Sequence, residues 1–135
     1  MSKTRLAPYI NFQGHARVAM EHYHRILGGK LDLLAAGDSG TPKPAGPGDP
    51  IMHARLETDD IVIIASDGSP QYPAKVGDHI GLAIASTDRD RLTTVFNALA
   101  EGGKVKMPLT DQPWGTAGWL TDRFGINWNV DIEKG

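Results

Sequence analysis

The chain has 135 residues, a formal net charge of −2 and no cysteine. The missing thiol excludes disulfides, thiolate nucleophiles and cysteine-held zinc or iron–sulfur centres together. Lysine and arginine are scattered rather than striped, which argues against nucleic acid as a partner, and no run approaches the 18 apolar residues of a membrane span. At this length one domain is expected, large enough to bury a core without a metal or disulfide staple.

Pro8–Phe12 reads as a short apolar strand ended by Gly14. From His15 the apolar residues Ala16, Ala19, Tyr23, Ile26 and Leu27 recur at three- and four-residue steps, the period of a helix, and Gly28-Gly29 stops it. A strand is predicted over Lys30–Ala36. Eight of the fourteen residues from Gly37 to Pro50 are glycine or proline, which predicts a loop, either a mobile lid or a surface excursion. Met52–Thr58 and Ile61–Ser66 are β-rich runs joined by Asp59-Asp60, a hairpin signature. Asp67–Asp78 reads as a linker. The second half begins with a strand at His79–Ala85. A helix follows, capped by Thr87 or Asp88 and striped by Leu92, Val95, Phe96 and Leu99. Gly102-Gly103 ends that helix. Strands at Lys104–Leu109, Ala117–Thr121 and Asn127–Ile132 complete the chain, the last two joined by a turn at Asp122–Gly125.

The two halves repeat. HRILGGKLDLL and NALAEGGKVKMPL superpose at an offset of 74 residues, which places Gly28-Gly29-Lys30 on Gly102-Gly103-Lys104. The fold class expected is α+β, with two βαβββ modules at residues 1–66 and 79–135. One helix covers one face of a sheet, so the other face must find a partner. Two such curved mixed sheets would enclose a cleft.

Other chemistry is sparse. The chain has no G-x-S-x-G and no P-loop, and its Gly-Gly pairs end helices, so neither cradles a phosphate. Asp59-Asp60 and Asp88/Asp90 fall in turns or caps. His15, His22, His24 and His53 read as surface or sheet histidines without ligand spacing. The N-terminus shows no signal-peptide pattern, so a cytoplasmic location is the expectation.

The segments PYINFQGHARVAMEHYHRILGGKL, IMHARLETDDIVIIASD and ALAEGGKVKMPLTDQPWGTAGWLTDRFGINW resemble the vicinal oxygen chelate superfamily, which includes glyoxalase I, extradiol dioxygenases and bleomycin resistance proteins. The wording is closest to its PhnB-like branch. Some members of that branch carry a ubiquinone-methyltransferase-like label, yet nothing in this chain looks like a methyl-donor site. Enzymes of the superfamily hold a divalent metal with one side chain from the first and last strand of each module. Carried over, those positions fall on Pro8, Ile64, His79 and Asn129. Only His79 is a good ligand, so no metal and no cofactor are expected.

The resemblance leaves His79 as a candidate catalytic acid or base, or a residue that merely caps a strand. Strand alternation anchored on the same positions aims Ile10, Phe12 and Ile64 into the cleft as apolar walls, with Asn127 and Asn129 beside them. Asp131 continues that row near the rim. Trp114, in a Trp-Gly step that recurs in the branch, and Trp119 supply stacking area there or pack an interface. Trp128 faces the helix as core. The reading that follows is a protein binding a small organic molecule in the cleft without the usual metal. The alternatives are a metal-free or metal-dependent lyase, isomerase or oxygenase using His79, and a structural homodimer without ligand. A homodimer is expected in each case, with or without exchange of modules between chains.

Overall fold

The computed structural model describes residues 4–135 and divides into two compact units, the first ending at Ala74 and the second running Lys75–Gly135. The described residues form two helices and nine strands. No helix among them is long and apolar enough to cross a membrane.

The first unit is built from β1 (Tyr9–Asn11), α1 (Ala16–Leu27), β2 (Lys30–Ala36), β3 (Pro42–Pro44), β4 (His53–Glu57) and β5 (Val62–Ser66). They form one mixed sheet ordered β1-β5-β4-β2-β3, with β1 parallel to β5 and the other pairs antiparallel. Along α1, Ala16, Ala19, Met20, His22, Tyr23 and Leu27 are buried: Met20 and His22 join the predicted stripe, and Ile26 is only partly covered. They pack over Ala54, Leu56, Ile63 and Ala65 of the sheet. The helix has no acidic residue in its first turn. Asp67 supplies that charge from 51 residues away: its carboxylate accepts Ala16 N at 2.8 Å and Ile51 N at 2.6 Å, satisfying one orphan amide of the helix start. Asp67 therefore belongs to the first unit, which extends past Ser66 into the segment read as linker.

The glycine- and proline-rich stretch holds a strand that composition concealed. β3 pairs with β2 through Leu34↔Pro44, Ala35↔Lys43 and Ala36↔Pro42. Two prolines fit because β3 is an edge strand, and a ladder is needed on one side only. Beyond it, the Arg17 guanidinium donates to the carbonyls of Gly46 at 2.7 Å and Asp49 at 3.2 Å, while Asp49 accepts Gly46 N at 2.9 Å. The segment expected as a loop, either a mobile lid or a surface excursion, is tied to both the sheet edge and α1.

The second unit comprises β6 (Gly81–Ser86), α2 (Arg89–Ala100), β7 (Lys104–Gln112), β8 (Gly115–Thr121) and β9 (Asn127–Glu133), with sheet order β6-β9-β8-β7. Asp88 caps α2 by accepting Arg91 N at 3.0 Å, as the sequence predicts. Leu92, Val95, Phe96 and Leu99 are its buried stripe. Gly118 of β8 lies directly under this helix: a Cβ there would sit 2.7 Å from the Phe96 ring. β7 runs three residues further than predicted and is irregular between Val105 and Thr110, where Pro108 interrupts the ladder. β6 begins at Gly81 rather than His79.

Candidate functional site

Each sheet has one face under its own helix and one turned away from it. Side chains alternate between the two, so strand register decides what the helix-distal face carries. In the second unit, one row across that face reads Met107–Trp119–Asn129–Ala83. Trp119 is 49% exposed. Asn129 is half-buried, and among the described residues its amide makes no hydrogen bond. The next row pairs Thr121 with Asn127 and Asn127 with Gly81. Asn127 is committed there: its Oδ1 accepts the Thr121 hydroxyl at 2.7 Å and its Nδ2 donates to Ile80 O at 3.2 Å. Of the two asparagines predicted to orient a ligand, Asn129 has its amide uncommitted, whereas Asn127 ties the start of β6 to β9. Asp131 continues the row opposite Ala117 and Ala85.

Trp128, of opposite parity, is buried beneath α2 as predicted. Its indole N–H donates to Asp122 at 2.9 Å. Trp114 lies outside these rows. It sits in the β7–β8 turn, exposed.

In the first unit the helix-distal row is Tyr9–Ile64–Arg55–Asp32, followed by Asn11 opposite Ser66. Ile64 is where expected, but Ile10 and Phe12 are not. Ile10 pairs with the fully buried Ala65. Phe12 is buried, with its ring centroid 6.2 Å from that of Tyr23 on α1. Both lie on the helix-facing side of the sheet, Phe12 buried and Ile10 partly covered. The cause is a one-residue difference in register: Ile64 stands opposite Tyr9, not Pro8, and a shift of one inverts every side chain on a strand. Sequence reasoning missed Tyr9 for that reason. The 74-residue repeat held the signal, since it maps Tyr9 onto Ala83, the residue opposite Asn129.

The same register corrects the predicted corner positions. His79 lies four residues ahead of Ala83, exposed in a bend before β6, and not on the sheet. Where the first and last strands of each module run side by side, Tyr9 pairs with Ile64 and Ala83 with Asn129. A phenol, a butyl chain, a methyl and an amide do not make a donor set for a transition metal. Among the described residues no three His, Cys, Asp or Glu side chains gather as a metal site would require. The divalent metal of the wider superfamily does not fit these residues.

The family model described as 3-demethylubiquinone-9 3-methyltransferase matches residues 4–131. The chain belongs to this family, the PhnB-like branch of the vicinal oxygen chelate superfamily. The crystal structure of protein PA1353 from Pseudomonas aeruginosa is 39% identical to this PhnB-like chain, with a TM-score of 0.85 over 98% of this chain and 100% of that one. A putative 3-demethylubiquinone-9 3-methyltransferase, the PhnB protein from Bacillus cereus, is 22% identical, with a TM-score of 0.71 over 95% and 98%. A glyoxylase/bleomycin resistance protein/dioxygenase domain from Frankia shares the fold at 16% identity and a TM-score of 0.62, over 99% of each chain. A search of the curated proteins finds no match.

The family's description implies a methyl donor. In the first unit the carboxylates at the sheet and at the start of α1 are not free to meet one. A cationic nucleoside donor needs uncommitted carboxylates around its charge and ribose. Asp67, beside the β1–α1 turn, spends both oxygens on backbone amides. On the helix-distal face of the first sheet, Glu57 is held by Arg55 and Arg5, and Asp32 lies 4.0 Å from Lys30.

Proposed function

We propose that this PhnB-like protein binds a small planar organic molecule, without a metal, on the helix-distal face of its second sheet. The observation that carries this reading is Trp119, a half-exposed indole set between Met107 and the uncommitted amide of Asn129. An indole supplies a large rigid stacking surface worth ~0.5–1.5 kcal/mol beyond its buried area. The amide offers both a donor and an acceptor to fix orientation. His79 stands off the strand, so the reading rests on Trp119 and Asn129 rather than on an acid–base histidine.

A ligand that binds only the folded protein raises its thermal midpoint by mass action. A thermal-shift screen of aromatic metabolites is expected to yield hits whose effect persists in excess chelator. Trp119→Ala should weaken a hit roughly tenfold, as the loss of a stacking platform implies, while leaving the unliganded midpoint nearly unchanged. A midpoint that drops on chelation, together with about one tightly held ion per chain, would refute the metal-free reading.

The same reading has the protein working as a homodimer, because each sheet has a face its own helix does not cover. Light scattering during size exclusion is expected to return twice the mass of the chain. A species of single-chain mass at micromolar concentration would refute it.

A further inference from the structure

We infer that the helix-distal face of the second sheet selects planar aromatic cations, with Asp131 taking the positively charged nitrogen while Trp119 stacks on the ring. This gives the charge class of the ligand at the proposed site and so rests on the reading that a small planar molecule binds there.

Strand register fixes what this face carries. Its charged groups are Lys104, opposite Thr121 at one end, and Asp131 and Glu133 at the other. Lys104 and the exposed Lys106 both belong to β7, two strands from β9. Near the acidic end, Arg89 donates to Thr116 on the opposite face at 2.9 Å, and Lys134 lies past the end of β9. The neutral groups are mostly spent. Thr121 and Asn127 satisfy each other and the Ile80 carbonyl, and the Thr110 hydroxyl donates to Pro108 O at 2.6 Å. Gln112 stands in the Glu133 row, across Gly115. Among the described residues no hydrogen bond or ion pair engages the Asp131 carboxylate.

Asp131 is half-buried, and its cross-strand neighbours are Ala117 and Ala85. Two methyl groups leave room around the carboxylate and offer it no donor. A partly desolvated anion in that setting gains most from a cation that also hydrogen-bonds to it. Trp119 is paired with Asn129, so it stands on a cross-strand diagonal to Asp131, ~7–8 Å away and within reach of a long side chain. A two-ring ligand stacked on the indole therefore brings a ring substituent to the carboxylate. The indole face itself attracts positive charge, so stacking platform and carboxylate favour the same sign. Asn129, between them, adds an amide oxygen that accepts from the same group. An amidinium matches this set, because its parallel N–H donors pair with both carboxylate oxygens.

The test titrates 2-naphthamidine, the neutral 2-naphthamide, the anion 2-naphthoate and the ring-free cation acetamidine against the full chain by calorimetry, with the Asn129 side-chain amide resonances as the site readout. Naphthamidine is expected to bind roughly tenfold more tightly than naphthamide, the scale of one charge-assisted pair, and to shift those resonances. Asp131→Asn should remove the preference without lowering the thermal midpoint, and Glu133→Gln should keep it. Trp119→Ala should weaken amidine and amide together and leave most of their ratio intact. Equal binding of amidine and amide, or tighter binding of naphthoate, would overturn the charge assignment while the Trp119 platform still stands. Acetamidine binding as tightly as naphthamidine would overturn it too, since the ring would then be idle. So would a loss of preference in Glu133→Gln as large as in Asp131→Asn, the mark of a diffuse field rather than a site. If no probe binds while the thermal screen yields hits, the cation class fails and the broader reading survives. An empty screen takes both down.

Discussion

Replacing Asp122 with alanine is expected to cost about 3–5 kcal/mol of stability, the largest effect of any single polar truncation considered for the second unit. Asp122 is 3% exposed. Its Oδ1 accepts Phe124 N at 2.9 Å and Ile126 N at 3.0 Å, and its Oδ2 accepts the Trp128 indole at 2.9 Å. Hydrogen bonds to a charged group contribute roughly 1.5–3 kcal/mol each and do not add fully. One side chain therefore closes the β8–β9 turn and anchors the main aromatic of the core beneath α2. Whole domains are stable by only about 5–15 kcal/mol, so urea unfolding should show a clear fall in midpoint. Asp122→Asn should land between, because its amide presents one oxygen to the backbone donors but sets an NH2 against the indole N–H. A loss under about 1 kcal/mol for the alanine variant would mean that the turn is held by its backbone alone.

Gly29→Ala should be nearly as damaging, at about 2–5 kcal/mol. Gly29 has φ +87°, and a Cβ there would meet the Glu57 carbonyl oxygen and lie 2.7 Å from the Thr58 methyl. A left-handed backbone costs an L-residue about 1–2 kcal/mol, and forced overpacking adds typically 1–3. Its repeat partner Gly103 separates the two terms. A Cβ at Gly103 would press on the Thr121 carbonyl oxygen and the Asp122 Cα, but its φ is not in the positive range. Gly103→Ala should show only the packing cost. If both variants unfold at the wild-type urea concentration, the close approach of the hairpin to the helix–strand corner does not constrain these sites.

These glycines explain why the repeat was visible. In each copy the first glycine, Gly28 or Gly102, takes positive φ to end the helix. The second lets the neighbouring strand come close. Both demands are local to one corner of the module, so both copies spell them the same way. The helices were legible for a similar reason: their buried stripes recur at a period set by the chain itself. The placement of Trp128 in the core and Trp119 on the opposite face followed from strand alternation in β8 and β9.

The errors arose where an outcome depended on a partner distant in sequence. β3 hides in a stretch whose composition argues against a strand, because an edge strand needs only the ladder that β2 supplies. The start of α1 is capped by Asp67, which no local capping signal reveals. Ile10 and Phe12 were sent to the wrong face and His79 was put on a strand because alternation relates residues within a strand without saying which parity faces the helix.

Sequence alone thus determined the two-module architecture and most of the helix stripes, since each follows from periodicity along the chain. Tertiary structure decided that Tyr9 rather than Pro8 stands opposite Ile64, that Arg55 completes that row, and that Asn129 rather than Asn127 keeps its amide uncommitted. Pairing between strands tens of residues apart sets those outcomes, and a one-residue change in register would reverse each of them.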